Sequence, residues 1–204
     1  MTSFLTRPVI AFLAVVTLAG CSQSASDPDL TDKGAVADKD AVKNNNADAM
    51  FAQTMIPHHQ QAVEMSRIVL EKPGLDPKVA ALATRISAAQ SAEITKMAGW
   101  LEAWGEPTSH ESGNHLAGPH AMTEMGDGML TEMEMTELAT ADSSDAGRRF
   151  LTQMIAHHEG AIMMARIEVD KGSNPDALAV ARNVIRSQEL EISEMKELLA
   201  ANPG

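Results

Sequence analysis

The sequence predicts an all-α protein: a four-helix bundle of two duplicated helical hairpins, joined by a long His/Met-rich crossover that contains a short helix. Three observations carry this. Phe51-Ala-Gln-Thr-Met-Ile-Pro-His-His-Gln-Gln-Ala-Val-Glu-Met-Ser-Arg67 lies over Phe150-Leu-Thr-Gln-Met-Ile-Ala-His-His-Glu-Gly-Ala-Ile-Met-Met-Ala-Arg166, at a spacing near 99 residues. Downstream, Gln90-x-x-Glu93-Ile94-x-x-Met97 lies over Gln188-x-x-Glu191-Ile192-x-x-Met195 in the same order. Finally, aromatic residues make up 3% of the chain and Tyr is absent, so the core must come from Ala, Leu, Ile, Val and Met, which suits packed helices better than a sheet.

Element by element, the chain opens with Arg7, an apolar run from Val9 to Ala19 and then Leu18-Ala19-Gly20-Cys21. Residues 1–20 therefore read as a signal peptide, too short to remain as a spanning helix. Leu-Ala-Gly-Cys looks like a bacterial lipobox, with Cys21 as the point of lipid attachment. As the single cysteine, Cys21 leaves no disulfide or thiolate metal site for the folded part. Residues 21–47, rich in Ser, Asp, Asn and Lys, read as a disordered tether. The folded domain is then 48–204, with repeats at 48–104 and 145–200 and a crossover at 105–144.

Within the repeats, helices are expected at about 48–72, 76–104, 145–171 and 175–200. Gly74 and Gly172 stop the first helix of each copy, and Asp76-Pro77 and Asn174-Pro175 supply an N-cap followed by proline at the first helical position. Pro57 conflicts with its helix, since it removes a backbone donor; the helix should bend there or begin later. The crossover carries nine acids and no base between Gly105 and Asp145. It holds His110, His115 and His120, then Met122, Met125, Met129 and Met133 at steps suited to one face of a short helix beginning near 128–131.

With 28 acids against 16 bases, the chain repels nucleic acid and anionic lipid and attracts cations. Helical spacing puts Met55, His58, His59, Ala62 and Met65 on one face, and Met154, His157, His158, Ala161 and Met164 on its counterpart. In the partner helices Gln90, Glu93 and Met97, and Gln188, Glu191 and Met195, fall in core-facing stripes. A buried carboxylate must be paired or metal-bound, and the neighbouring histidines are the natural partners, either directly or as a shell that fixes which imidazole nitrogen is free. Imidazole and thioether without thiolate form a soft-to-borderline donor set that favours Cu(I), with Cu(II) possible where His dominates.

Met-Ile-x-His-His-x-x-Ala-x-x-Met, twice, with Gln-x-x-Glu-Ile-x-x-Met after each copy, resembles the DUF305 family over essentially all of 48–200. The resemblance implies a ferritin-like fold and extracytoplasmic copper handling. It implies Met55, His58, His59, Met65, Met154, His157, His158 and Met164 as metal ligands, with Glu93, Met97, Glu191 and Met195 beside them; the crossover histidines and methionines join the candidates. One departure is Gln61 where the second copy has Gly160, a bulk that would make the half-sites unequal. The expected function is a lipid-anchored, extracytoplasmic copper buffer, carrier or resistance protein with a copper-handling partner, and not an enzyme. The alternatives are a ferritin-like di-metal oxidase, disfavoured because neither Glu93 nor Glu191 has His three residues on, and a partner-binding lipoprotein without metal.

Overall fold

The computed structural model describes residues 43–108 and 127–201, and all regular structure among them is helical. The signal peptide, Cys21, nearly all of the tether, and His110, His115, His120, Met122 and Met125 lie outside the described residues. The elements are α1 (Asn46–Leu70), α2 (Pro77–Trp104), α3 (Glu132–Thr140), α4 (Ser143–Lys171) and α5 (Pro175–Ala201).

Local chemistry sets the ends. Asn45 caps α1 in a reciprocal capping box with Asp48, and Asp76 caps α2 with Pro77 at its first position. Thr131 and Glu134 form a second capping box at α3. Asp142 caps α4, and the Asn174 carboxamide receives the Asp176 and Ala177 amides at the start of α5. Gly105 closes α2 with φ of 71°, a left-handed conformation that glycine adopts without a Cβ penalty. Gly172 departs from the expected left-handed stop. Its backbone is extended, and the reason for glycine is space: a Cβ there would stand 2.2 Å from the Glu168 carboxyl.

Pro57 neither delays nor interrupts α1, which runs through it from Asn46 to Leu70. The ring lies on the exposed face of the helix. In the crossover, the short helix expected to begin near 128–131 starts at Glu132 behind the Thr131 cap. Met133 lies in α3, whereas Met129 precedes its cap in non-helical chain.

The two hairpins, α1–α2 and α4–α5, join chiefly through α1 against α4, so α1 and α4 form the middle of the four-helix bundle. Two buried clusters result. One gathers Met65, Leu82, Ile86, Phe150, Met154 and Met195; the other gathers Phe51, Met55, Met97, Leu101, Met164 and Val184. Each fully buried Met or Leu contributes about 1.5–3 kcal/mol relative to exposure. The four histidines occupy the middle of α1 and α4.

One end of the bundle is closed by a polar latch. Asp48 of α1, fully buried, receives the Ser173 and Asn174 amides at 3.0 and 2.9 Å, the Ser173 hydroxyl at 3.0 Å and the Asn45 amide at 2.6 Å. Those bonds outweigh burial and hold its carboxyl below the usual range. Beside it, burial and then the Asp48 carboxylate push the Glu168 carboxyl up to about 8, so at neutral pH it holds its proton. At the duplicate position of Asp48 stands Gly147, which lines an open groove of about 630 Å³ with Leu75, Val79, Arg148, Leu151 and Leu198.

Candidate metal centre

Consecutive residues on a helix point about 100° apart, and this step divides the labour within each His-His pair. The first histidine of each pair faces the other copy: the His58 and His157 rings lie 3.7 Å apart between centroids, tilted by 39°. The second faces its own hairpin. His59 Nε2 meets Glu93 Oε2 of α2 at 2.8 Å, and His158 Nε2 meets Glu191 Oε2 of α5 at 2.7 Å. All four imidazoles are buried, whereas the Glu93 and Glu191 side chains retain 24% and 19% exposure, so each carboxylate reaches inward from the rim.

These contacts assign protons. A carboxylate or a carbonyl only accepts, so His59 and His158 carry hydrogen on Nε2, leaving the Nδ1 lone pair. His58 donates through Nε2 to the Asp127 carbonyl at 2.9 Å and likewise keeps Nδ1 free. His157 differs: the His58 backbone lies beside it without a well-formed bond, and both of its ring nitrogens are buried without a partner. Nδ1 of His58, His59 and His158 is also buried and unpartnered. Burial, reinforced by the neighbouring imidazoles, lowers the His58 pKa to about 3 and that of His157 well below the ordinary value. The central pair is therefore neutral, with lone pairs available.

A buried polar atom without a partner costs about 1–3 kcal/mol, so five such nitrogens in one place mark a donor set rather than a packing solution. Among the described residues no group of three or more His, Cys, Asp or Glu could by itself hold an ion. The sulfurs lie alongside. Met55 stands three and four residues before His58 and His59 on α1, and Met154 repeats this on α4. The methionines also exchange between copies. Met65 of the first repeat shares its cluster with Met154 and Met195 of the second, while Met164 of the second shares its cluster with Met55 and Met97 of the first.

Other candidates stand apart. Met129 and Met133 are 38% and 69% exposed, outside both clusters. Sequence reasoning placed Gln90 and Gln188 on core stripes, and both are buried, with the Gln90 carboxamide unpartnered at both atoms. It missed Asp127, Gly128 and Leu130, which cross the histidines; the only signal was the Gln61/Gly160 mismatch. It also missed Glu168, whose acidic character on a buried face was readable from the α4 periodicity.

Comparison with known proteins agrees with this architecture. No curated protein matches the chain. A DUF305 protein from Streptomyces coelicolor superposes with a TM-score of 0.69 at 38% identity, over 78% of this chain and 93% of its own. CopM in its Cu(I)-bound form does so with 0.61 at 30% identity, over 77% and 98%, and its Cu(II)-bound form with 0.61 at 32%, over 76% and 96%. The family model described as a domain of unknown function, DUF305, matches residues 48–199, the same span as the duplicated hairpins and their paired histidines. By both sequence and fold, this chain belongs to the DUF305 family.

Proposed function

We propose that this protein binds copper, Cu(I) foremost, as an extracytoplasmic buffer or carrier held to a membrane by lipid on Cys21. The observation that carries the reading is the set of five unpartnered, buried imidazole nitrogens on four histidines, with buried methionines beside them. Because among the described residues nitrogen and carboxylate donors alone make no group of three or more, an ion held at the four histidines draws on thioether sulfur, and that mixture suits a soft monovalent cation. The CopM structures support the choice of metal, since they are described in Cu(I), Cu(II) and silver forms. The Streptomyces relative is described as a candidate secreted protein, in keeping with the signal-peptide reading of residues 1–20.

In this reading the ion is cargo. His58, His157, His59 and His158 supply nitrogen, and Met55, Met65, Met154 and Met164, with Met97 and Met195, supply sulfur. Glu93 and Glu191 orient the second histidine of each pair through Nε2. With both carboxylates so engaged, and no His three residues beyond either, binding is favoured over di-metal oxidation. A copper-handling protein would receive or supply the ion.

The test is a Cu(I) titration of the mature domain against a chromogenic chelator. Changing His58, His59, His157 and His158 to Ala should abolish the tightest binding while the crossover residues His110, His115 and His120 retain residual capacity. Wild-type affinity and stoichiometry in that variant would overturn the proposal. For the anchor, Cys21→Ser should release the protein from the membrane fraction with its helicity unchanged.

A further inference from the structure

Gln61 and Gly160 occupy duplicate positions on α1 and α4, and the structure gives each a task that the other could not perform. The chain entering α3 crosses the histidines at residues 127–130. On the α4 side the approach is backbone to backbone: a Cβ on Gly160 would stand 1.7 Å from the Asp127 carbonyl oxygen, and one on Gly128 would stand 2.1 Å from the Ala156 carbonyl oxygen. Gly128 also has φ of 75°, so both space and conformation call for glycine. On the α1 side the Gln61 carboxamide pairs with Leu130 as a strand neighbour would. It donates to the Leu130 carbonyl at 2.8 Å and accepts the Leu130 amide at 2.7 Å. One helix must be empty at this position for the strap to lie down, and the other must extend an arm to hold it.

Held this way, the strap turns the Asp127 carbonyl onto His58 Nε2 at 2.9 Å, while among the described residues no strap group bonds either nitrogen of His157. We propose that Gln61 is a positioning residue for metal binding. Through the strap it locks His58 as an Nε2–H donor with Nδ1 as its single ligating atom, and leaves His157 free to use either nitrogen. The twofold site is thereby given one fixed and one adaptable histidine. A fixed donor loses less orientational freedom when an ion binds, whereas an adaptable one accommodates a second coordination geometry.

This inference rests on the copper reading, but its first readout needs no copper. Two variants evict the strap by different routes. Gly160→Ala does so by contact, with a residue that otherwise favours helix; Gln61→Leu does so by removing both hydrogen bonds at similar size. In the copper-free wild type, nitrogen-15 NMR should show a slowly exchanging Nε2 proton on each of His58, His59 and His158. In both variants the His58 proton should exchange rapidly and vanish, while those of His59 and His158 persist on Glu93 and Glu191. Cu(I) stoichiometry should stay constant and affinity should fall about tenfold, the scale seen when an orienting partner of a ligand is lost. Persistence of the His58 proton in both variants would overturn the proposal, as would equal loss at all three histidines, which would signal general loosening. A wild type that binds no Cu(I) would sink the proposed function and leave the NMR result to decide the positioning role.

Discussion

A histidine with an ordinary pKa near 6.5 gives up its lone pair under mild acid, but His58 does not have that value. Its burial beside His157 lowers it to about 3. Below pH 6.5 the unfolded chain therefore binds a proton that the folded protein refuses, so stability falls as pH falls, by about 1.4 kcal/mol per unit for each histidine so buried. Glu168 has the opposite sign. Raised to about 8, it keeps its proton when folded while the unfolded chain ionises above the ordinary carboxylate value, so stability falls as pH rises from about 4.5 to 8. The two slopes oppose one another between about 4.5 and 6.5. Because His58 and His157 both act against the single Glu168, urea midpoints measured across pH 3 to 9 should peak near the upper end of that window, with losses on both sides. Glu168→Gln should remove the loss between pH 6.5 and 8 and leave the acid limb intact; an unchanged alkaline limb would refute this account of the carboxyl pair.

At the scale of elements, the helices and their N-caps were legible because capping is local: Asn174-Pro175 and Asp76-Pro77 act within a few residues. The histidine faces were legible from periodicity. The division of each pair was not, because it depends on which neighbour stands at each azimuth. The same holds for the methionines. Repeat logic groups Met55, Met65 and Met97, whereas the packing of α1 on α4 sends Met65 to Met154 and Met195. This grouping predicts which substitutions act together. Met65→Leu with Met154→Leu conserves volume, costing less than about 1.5 kcal/mol each, and removes two sulfurs from one cluster. Cu(I) binding should lose part of its stoichiometry and keep the rest, whereas Met65→Leu with Met55→Leu should weaken both portions. Identical titrations for the two pairs would show that the clusters are packing alone.

At the scale of the whole molecule, the duplication is close but broken at chosen places. Gln61 stands where the other copy has Gly160, because one strap lies across both helices, and Asp48 stands where the other copy has Gly147, with one end latched and the other open as a groove. These breaks could not be read from the repeat, which reports what the halves share. The mismatch of Gln61 and Gly160 marked the half-sites as unequal without showing that the crossover lies against them. The strap's path is a tertiary fact, set by backbone packing that only a pair of glycines allows.

The Asp48 latch also bears on the order in which the chain folds. Each hairpin closes over a short turn, so α1–α2 and α4–α5 form through neighbours in sequence, with little loop-closure entropy opposing them. Asp48, by contrast, bonds Ser173 and Asn174 across 125 and 126 residues. Contacts of that separation form after the hairpins have docked, so the latch belongs to the native side of the folding barrier. Its loss should then appear in unfolding rather than in folding. In stopped-flow chevrons, Asp48→Ala should raise the unfolding rate by more than tenfold, in keeping with a buried group that serves four donors, and change the refolding rate by less than twofold. A refolding rate slowed in proportion would place the latch in the nucleus instead. The acid at the head of α1 thus acts as a kinetic clasp, setting how long the assembled hairpins stay together rather than how quickly they meet.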